Sequence, residues 1–148
     1  MIIDSSAILA IVFQEPGFEN ILARVEAADA VAAGTPTLTE TGIVLHARLG
    51  TDSHGLLERM LDELDIQEVP FGEIHWREAV DAFRRFGKGQ HPAALNFGDC
   101  MTYSVARLAG ESLLFVGEDF GRTELAAKDS PATSSGSRSK PFPELPGG

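Results

Sequence analysis

Short apolar runs alternate with longer segments of helical spacing from residue 1 to about residue 116, and this alternation leaves the chain few ways to fold. Residues 1–4 read as a short buried strand, followed by a helix from Ser5 to Phe13. After a turn at Pro16-Gly17, Phe18, Ile21, Leu22 and Val25 recur at helical spacing. Ala30 to Ala33 is a second strand ending at Gly34, and Pro36 and Thr37 open a helix that stops near Gly50. Ser53 is a candidate N-cap for a helix whose apolar stripe is Leu56, Leu57, Met60, Leu61 and Leu64. Ile66 to Phe71 reads as a third strand, Ile74 to Phe86 as an amphipathic helix stopped by Gly87. A loop over residues 87–94 leads to Asn96, then a helix to Gly110 and a fourth strand over Ser112 to Val116. Strands that alternate with helices pack as a parallel sheet covered on both faces, a three-layer α/β/α domain. In such sheets the functional cleft lies beyond the carboxyl ends of the strands.

The size of 148 residues suits one domain with a substantial core. Its character changes near Ala126. Residues 1–125 read as the folded domain and 126–148, rich in Ser, Pro and Gly, as a flexible tail. No apolar run is long enough to span a bilayer and no signal peptide is evident, so a cytoplasmic location is expected. The single cysteine, Cys100, excludes an intramolecular disulfide and a multi-cysteine metal site, and a buried thiol is its expected status.

Acids stand at the junctions. Asp4 follows the first strand, Glu40 follows Thr37-Leu38-Thr39, Asp99 follows Leu95-Asn96-Phe97-Gly98, and Asp119 follows Val116-Gly117-Glu118. Asp4 and Asp119 fall at or just beyond strand ends, and Glu40 and Asp99 in the first turns of helices that could start at the same rim. Each has a local explanation. Thr37-x-x-Glu40 matches a capping box, Asn96 with Asp99 can cap a helix, Asp4 can cap the first helix, and Asp119 can be a solvated loop acid. Their common rim favours a second explanation. Carboxylates converging from separate strands repel one another unless a hard cation such as Mg²⁺ or Mn²⁺ lies among them. Such ions support in-line hydrolysis of a phosphodiester.

A net charge of −10 weighs against nucleic-acid binding. Ions held by the rim acids would offset part of it, and the basic residues are unevenly spread. Arg84, Arg85 and Lys88 cluster before the Asp99 segment, either as a solvated helix end or as contacts to RNA. His46, His54, His75 and His91 show no ligand spacing, and Gly87-Lys88-Gly89 follows no strand, which excludes a P-loop. Phe13, Phe18, Trp76, Phe83 and Phe86 follow helical stripes and are expected in a core or a dimer interface.

Met1-Ile2-Ile3-Asp4-Ser5-Ser6-Ala7, Leu95-Asn96-Phe97-Gly98-Asp99-Cys100 and Gly117-Glu118-Asp119-Phe120, with Phe86-Gly87-Lys88-Gly89 and Pro92-Ala93-Ala94 between them, resemble PIN-domain proteins, in particular the VapC-type toxin ribonucleases of bacterial toxin–antitoxin pairs. The resemblance covers about residues 1–125. It implies a central parallel sheet of four or five strands and an acidic metal site of Asp4, Glu40, Asp99 and Asp119. Asp4 and Asp99 would be the principal Mg²⁺ ligands (Mn²⁺ a plausible substitute), with Glu118 a neighbour and Ser5 and Ser6 bonded to a ligand carboxylate, a bound water or substrate. It further implies a homodimer that cleaves RNA endonucleolytically and is inhibited by a VapB-type antitoxin. One departure concerns the fifth strand, because Arg122-Thr123-Glu124-Leu125-Ala126 replaces the family's usual continuation and leads into the polar tail.

Two other classes remain. A different phosphoryl-transfer protein would also carry a strand-end Asp, but Ser6 stands where a dehalogenase-like phosphatase needs a second Asp, and residues 112–121 lack a receiver domain's Lys. A non-catalytic module that keeps the fold and cuts nothing is the other; the intact acid set disfavours it.

Overall fold

One of the two inner strands of the sheet is among its shortest. The computed structural model describes residues 1–50 and 53–125. Within them β1 (Ile2–Ile3), β2 (Val31–Gly34), β3 (Ile66–Val69) and β4 (Leu113–Leu114) form one sheet in the order β3-β2-β1-β4. All pairings are parallel, with Ile2 opposite Ala32 on one side and Leu113 on the other. The order makes β1 the switch point, where the chain moves one way to β2 and β3 and later returns to β4 on the opposite flank. Asp4 leaves the sheet there and still donates its backbone N–H to the Leu114 carbonyl at 2.9 Å.

Six helices cover the sheet: α1 (Ser5–Val12), α2 (Phe18–Ala27), α3 (Thr35–Leu49), α4 (Ser53–Glu63), α5 (Glu73–Phe86) and α6 (Phe97–Ala109). Side chains alternate across the strands. Ile2, Ala32, Val69 and Leu113 pack with Ala79, Ala82, Tyr103 and Ala106 of α5 and α6 on one face. Ile3, Val31, Ala33, Ile66 and Leu114 pack with Ala7, Ile8, Val25, Met60 and Leu61 of α1, α2 and α4 on the other. The three-layer architecture is as the alternation predicts. Gly34 lets α6 approach the end of β2, since a Cβ there would sit 2.9 Å from Val105 Cγ2.

Several boundaries differ from the sequence reading. The outer strands are shorter because the apolar runs outlast the hydrogen-bonded ladder. The third helix starts at Thr35, with Gly34 as N-cap and Pro36 in its first turn, a position where proline's missing N–H is harmless. Helix α4 includes Ser53 rather than beginning after it. Gly50 and Gly110 end α3 and α6 in the left-handed conformation. The described residues hold four strands; where a fifth was open, a single 3₁₀ turn runs over Phe120–Arg122. The tail expected over 126–148 lies outside the described residues. Among the described residues, no helix is long and apolar enough to cross a membrane.

Cys100 is buried, and burial followed by the nearby Asp99 charge pushes its thiol up to about 11. Trp76 and Phe83 do not enter the core. With Val80 they form an exposed stripe on α5 at helical spacing.

Candidate active site

The rim of the sheet collects the acids. Asp4 is only 5% exposed at the end of β1 and caps α1. Its Oδ2 accepts from the Ser6 N–H at 3.1 Å and from the Ser6 hydroxyl at 2.7 Å. Ser6 Oγ in turn accepts the Val116 N–H at 3.0 Å, which ties the segment after β4 to the same corner. The capping explanation for Asp4 therefore holds, and it leaves Oδ1 clear of those bonds.

Asp99 also caps. Its Oδ2 accepts the Asn96 N–H, and the Asn96 side-chain oxygen accepts the Asp99 N–H, both at 2.9 Å. That bond lowers the carboxyl's pKa, yet the group stands at about 6. Burial is the largest cause, and the charges of Asp4, Asp119 and Glu40 add to it. Asp4, Asp119 and Glu40 are thus each within electrostatic reach of Asp99.

Glu40 corrects the sequence reading. It lies in the second turn of α3, not the first, because that helix starts at Thr35. Thr37 caps nothing. Its hydroxyl is buried and meets the Thr102 hydroxyl of α6 at 2.8 Å. The Glu40 carboxyl is directed to the rim, where partial burial and then Asp4 raise its pKa while a bond from the Ser5 hydroxyl lowers it. It passes so close to α6 that a Cβ on Gly98 would lie 2.6 Å from its Oε2. Glu40 and Gly98 also border a groove of about 660 Å³ walled by Ile43, Phe71, Phe97 and Met101, with Phe97 82% exposed.

Asp119 is exposed and immediately precedes the 3₁₀ turn, to which its side chain makes no capping bond. Glu118 beside it is exposed as well. The two serines act on carboxylates, Ser6 on Asp4 and Ser5 on Glu40.

The basic cluster does not join this group. Arg84 pairs with Asp81 of its own helix at 3.3 Å. Arg85 pairs with Glu124 at 2.8 Å and stacks over the Phe86 ring. Lys88 is exposed in the following loop.

Among the described residues, no three His, Cys, Asp or Glu side chains stand close enough to hold a metal ion as placed. The donor set nonetheless suits a hard divalent cation. It is all oxygen, it is charged and partly buried, and Mg²⁺ typically keeps several waters and takes only one or two protein carboxylates. Burial is the larger cause of the raised Asp99 and Glu40 carboxyls, and the neighbouring acids add to it.

Sequence reasoning singled out the four acids but not the contacts around them. The Thr37–Thr102 pair, the bare backbone at Gly98 and the bonds of Glu124 all depend on contacts between distant segments.

Comparison with known proteins shows the family and the fold. The PIN domain model matches residues 1–125. Ribonuclease VapC36 of Mycobacterium tuberculosis is 42% identical over 126 residues, covering 84% of this chain and 91% of that protein. Ribonuclease VapC of Mycolicibacterium smegmatis is 37% identical over 127 residues, covering 86% and 98%. Among solved structures, Mycobacterium tuberculosis VapC20, described as a sarcin-ricin loop cleaving toxin, superposes with a TM-score of 0.66 at 17% identity, covering 90% of this chain and 98% of that one. At that identity the likeness is one of fold.

Proposed function

The chain belongs to the PIN-domain family, and from that premise we propose that it is a metal-dependent endoribonuclease of the VapC type, the toxin of a toxin–antitoxin pair. What supports the proposal is that Asp4, Glu40 and Asp119 each lie within electrostatic reach of Asp99, whose carboxyl burial chiefly raises to about 6. Curated relatives of nearly the same length are named ribonucleases.

In this reading Asp4 and Asp99 are the principal ligands of Mg²⁺ or Mn²⁺, and Glu40 and Asp119 complete the site. A bound divalent ion supplies charge neutralisation and an activated water for attack on the phosphodiester. The chain's own residues hold the geometry. Ser6 fixes the Asp4 carboxylate, Asn96 fixes Asp99, and Ser5 orients Glu40. Arg84 and Arg85 are already paired with acids, so Lys88 is the member of the basic cluster best suited to meet the RNA backbone. The partners are an RNA substrate, a VapB-type antitoxin and a second copy of the chain; the exposed Trp76, Val80 and Phe83 stripe supports the last.

The test is cleavage of a labelled RNA by purified wild type, Asp4→Asn and Asp99→Asn proteins in Mg²⁺, with and without chelator. Both variants should keep the wild-type circular dichroism spectrum and lose cleavage, as should wild type with chelator. Undiminished cleavage by folded Asp4→Asn protein would sink the assignment.

A further inference from the structure

Glu124 gathers more polar contacts than any of the rim acids. Its Oε1 accepts the Tyr103 hydroxyl at 2.5 Å, Arg85 Nη2 at 2.8 Å and Arg107 Nη1 at 3.1 Å. Arg107 also reaches Glu78 through Nε at 2.7 Å, so α5, α6 and the C-terminal segment meet at one carboxylate. Its neighbours Thr123 and Leu125 are buried.

The segment fixed in this way is the one that carries Asp119. Phe120 is 2% exposed and packs edge-on against Phe115, with ring centres 5.2 Å apart. Gly121 N–H bonds the Glu118 carbonyl at 3.1 Å, and the Thr123 N–H and hydroxyl both bond the Phe120 carbonyl, at 3.0 and 2.8 Å. Asp119 itself has no side-chain capping bond to hold it. Its place over the rim depends on where this short turn is pinned, and there is no further strand among the described residues to pin it.

We infer that Glu124 is a positioning residue: by bridging Tyr103, Arg85 and Arg107 it clamps the 118–123 turn to the helix that carries Asp99 and so places Asp119 at the acidic site. Arg85 then serves the site through this clamp rather than by touching RNA. The inference extends the metal-site reading above in its functional consequence, but the clamp itself can be tested without metal.

The experiment uses the full chain as wild type, Glu124→Ala, Glu124→Gln, Asp119→Asn and the Glu124→Ala/Asp119→Asn double variant. Mn²⁺ affinity is measured by calorimetry, and amide hydrogen exchange is followed at Gly121 and Thr123, with α3 amides as the control. Glu124→Ala should weaken Mn²⁺ binding about 10-fold, the usual effect of losing a supporting partner. In the Asp119→Asn background it should change affinity less than about twofold, since the group it positions is gone. Glu124→Gln, which keeps an acceptor for Tyr103 and the arginines, should recover part of the loss. Exchange at Gly121 and Thr123 should accelerate in Glu124→Ala while α3 stays protected. An equal loss of affinity in both backgrounds would mean that Glu124 acts on general stability and would overturn the inference, as would unchanged affinity. If wild type binds no Mn²⁺, the metal-site reading fails and exchange decides the clamp: unaltered protection at Gly121 and Thr123 in Glu124→Ala overturns it, and selective loss there upholds it.

Discussion

The hydroxyls of Thr37 and Thr102 meet at 2.8 Å in the protein interior, and each lies one helical turn from an acid of the rim, Thr37 from Glu40 and Thr102 from Asp99. The pair joins α3 to α6 at a depth where neither hydroxyl has ready access to water. Thr37→Val should leave the Thr102 hydroxyl short of its partner and destabilise the fold by about 1–3 kcal/mol in urea titration. Replacing both with valine removes the orphaned group along with the bond, so the double variant should be more stable than the single. A double variant weaker than the sum of the two singles would show that the pair does not act as a unit.

The Asp99 carboxyl, at about 6 in the fold against 3.8 for the free side chain, makes stability depend on pH. Between those values the folded state binds more protons than the unfolded state, so stability declines as pH rises from about 4 to 6 and then levels off. Discounted for screening of a partly exposed group, the size is on the order of 1–2 kcal/mol. A divalent ion that offsets the charge should raise the melting temperature more at pH 7.5 than at pH 5. Asp99→Asn should melt higher than wild type at pH 7.5 without metal and lose most of the response to Mn²⁺. Differential scanning fluorimetry with and without Mn²⁺ reads all three, and an equal metal response at both pH values would contradict the account.

Gly98 gives the Glu40 carboxylate its space. Gly98→Ala puts a methyl 2.6 Å from Oε2, and the carboxylate at the end of a flexible side chain is the part that yields. Alanine is also the better helix former, by roughly 1 kcal/mol. The variant should therefore be as stable as wild type or slightly more so, while RNA cleavage drops about 10-fold, as expected when a site group is displaced. Melting and cleavage measured on the same preparation should move in opposite directions.

Ser6→Ala removes a hydroxyl that bonds Asp4 at 2.7 Å and accepts the Val116 N–H at 3.0 Å. Two bonds go with one atom, for a loss of about 1–3 kcal/mol in chemical denaturation. Asp4 keeps the backbone N–H of residue 6 at 3.1 Å, so the carboxylate stays at the rim and cleavage should fall without vanishing. Ser6→Thr retains the hydroxyl and should recover most of the activity.

Much of this arrangement was legible in the sequence because it is local. An apolar pair ended by Asp4, an Asn96–Asp99 cap and glycine stops at residues 50 and 110 each reveal themselves within a few residues. What escaped was decided over distance. Thr37 and Glu40 have the spacing of a capping box, but α3 begins two residues earlier, and Thr37 turns instead to a partner 65 residues away. Arg85 read equally as a solvated helix end or as an RNA contact, because Glu124, which holds it, lies 39 residues further on. The convergence of the acids could be expected from alternating strands and helices. The raised Asp99 carboxyl needed its actual burial, with the approach of Asp4, Asp119 and Glu40 adding to it.

The position of β1 between β2 and β4 bears on how the protein is made. Ser6 and Val116, whose bond closes the corner that holds Asp4, are 110 residues apart in the chain. A ribosome must release nearly the whole domain before that corner can close, and contacts of such sequence separation form slowly. An unfinished chain ending before β4 lacks one wall of the cleft as well as Asp119. In the reading proposed above, a chain ending before β4 would carry Asp4, Glu40 and Asp99 but neither the strand that closes the Asp4 corner nor Asp119, so its acidic site would be incomplete.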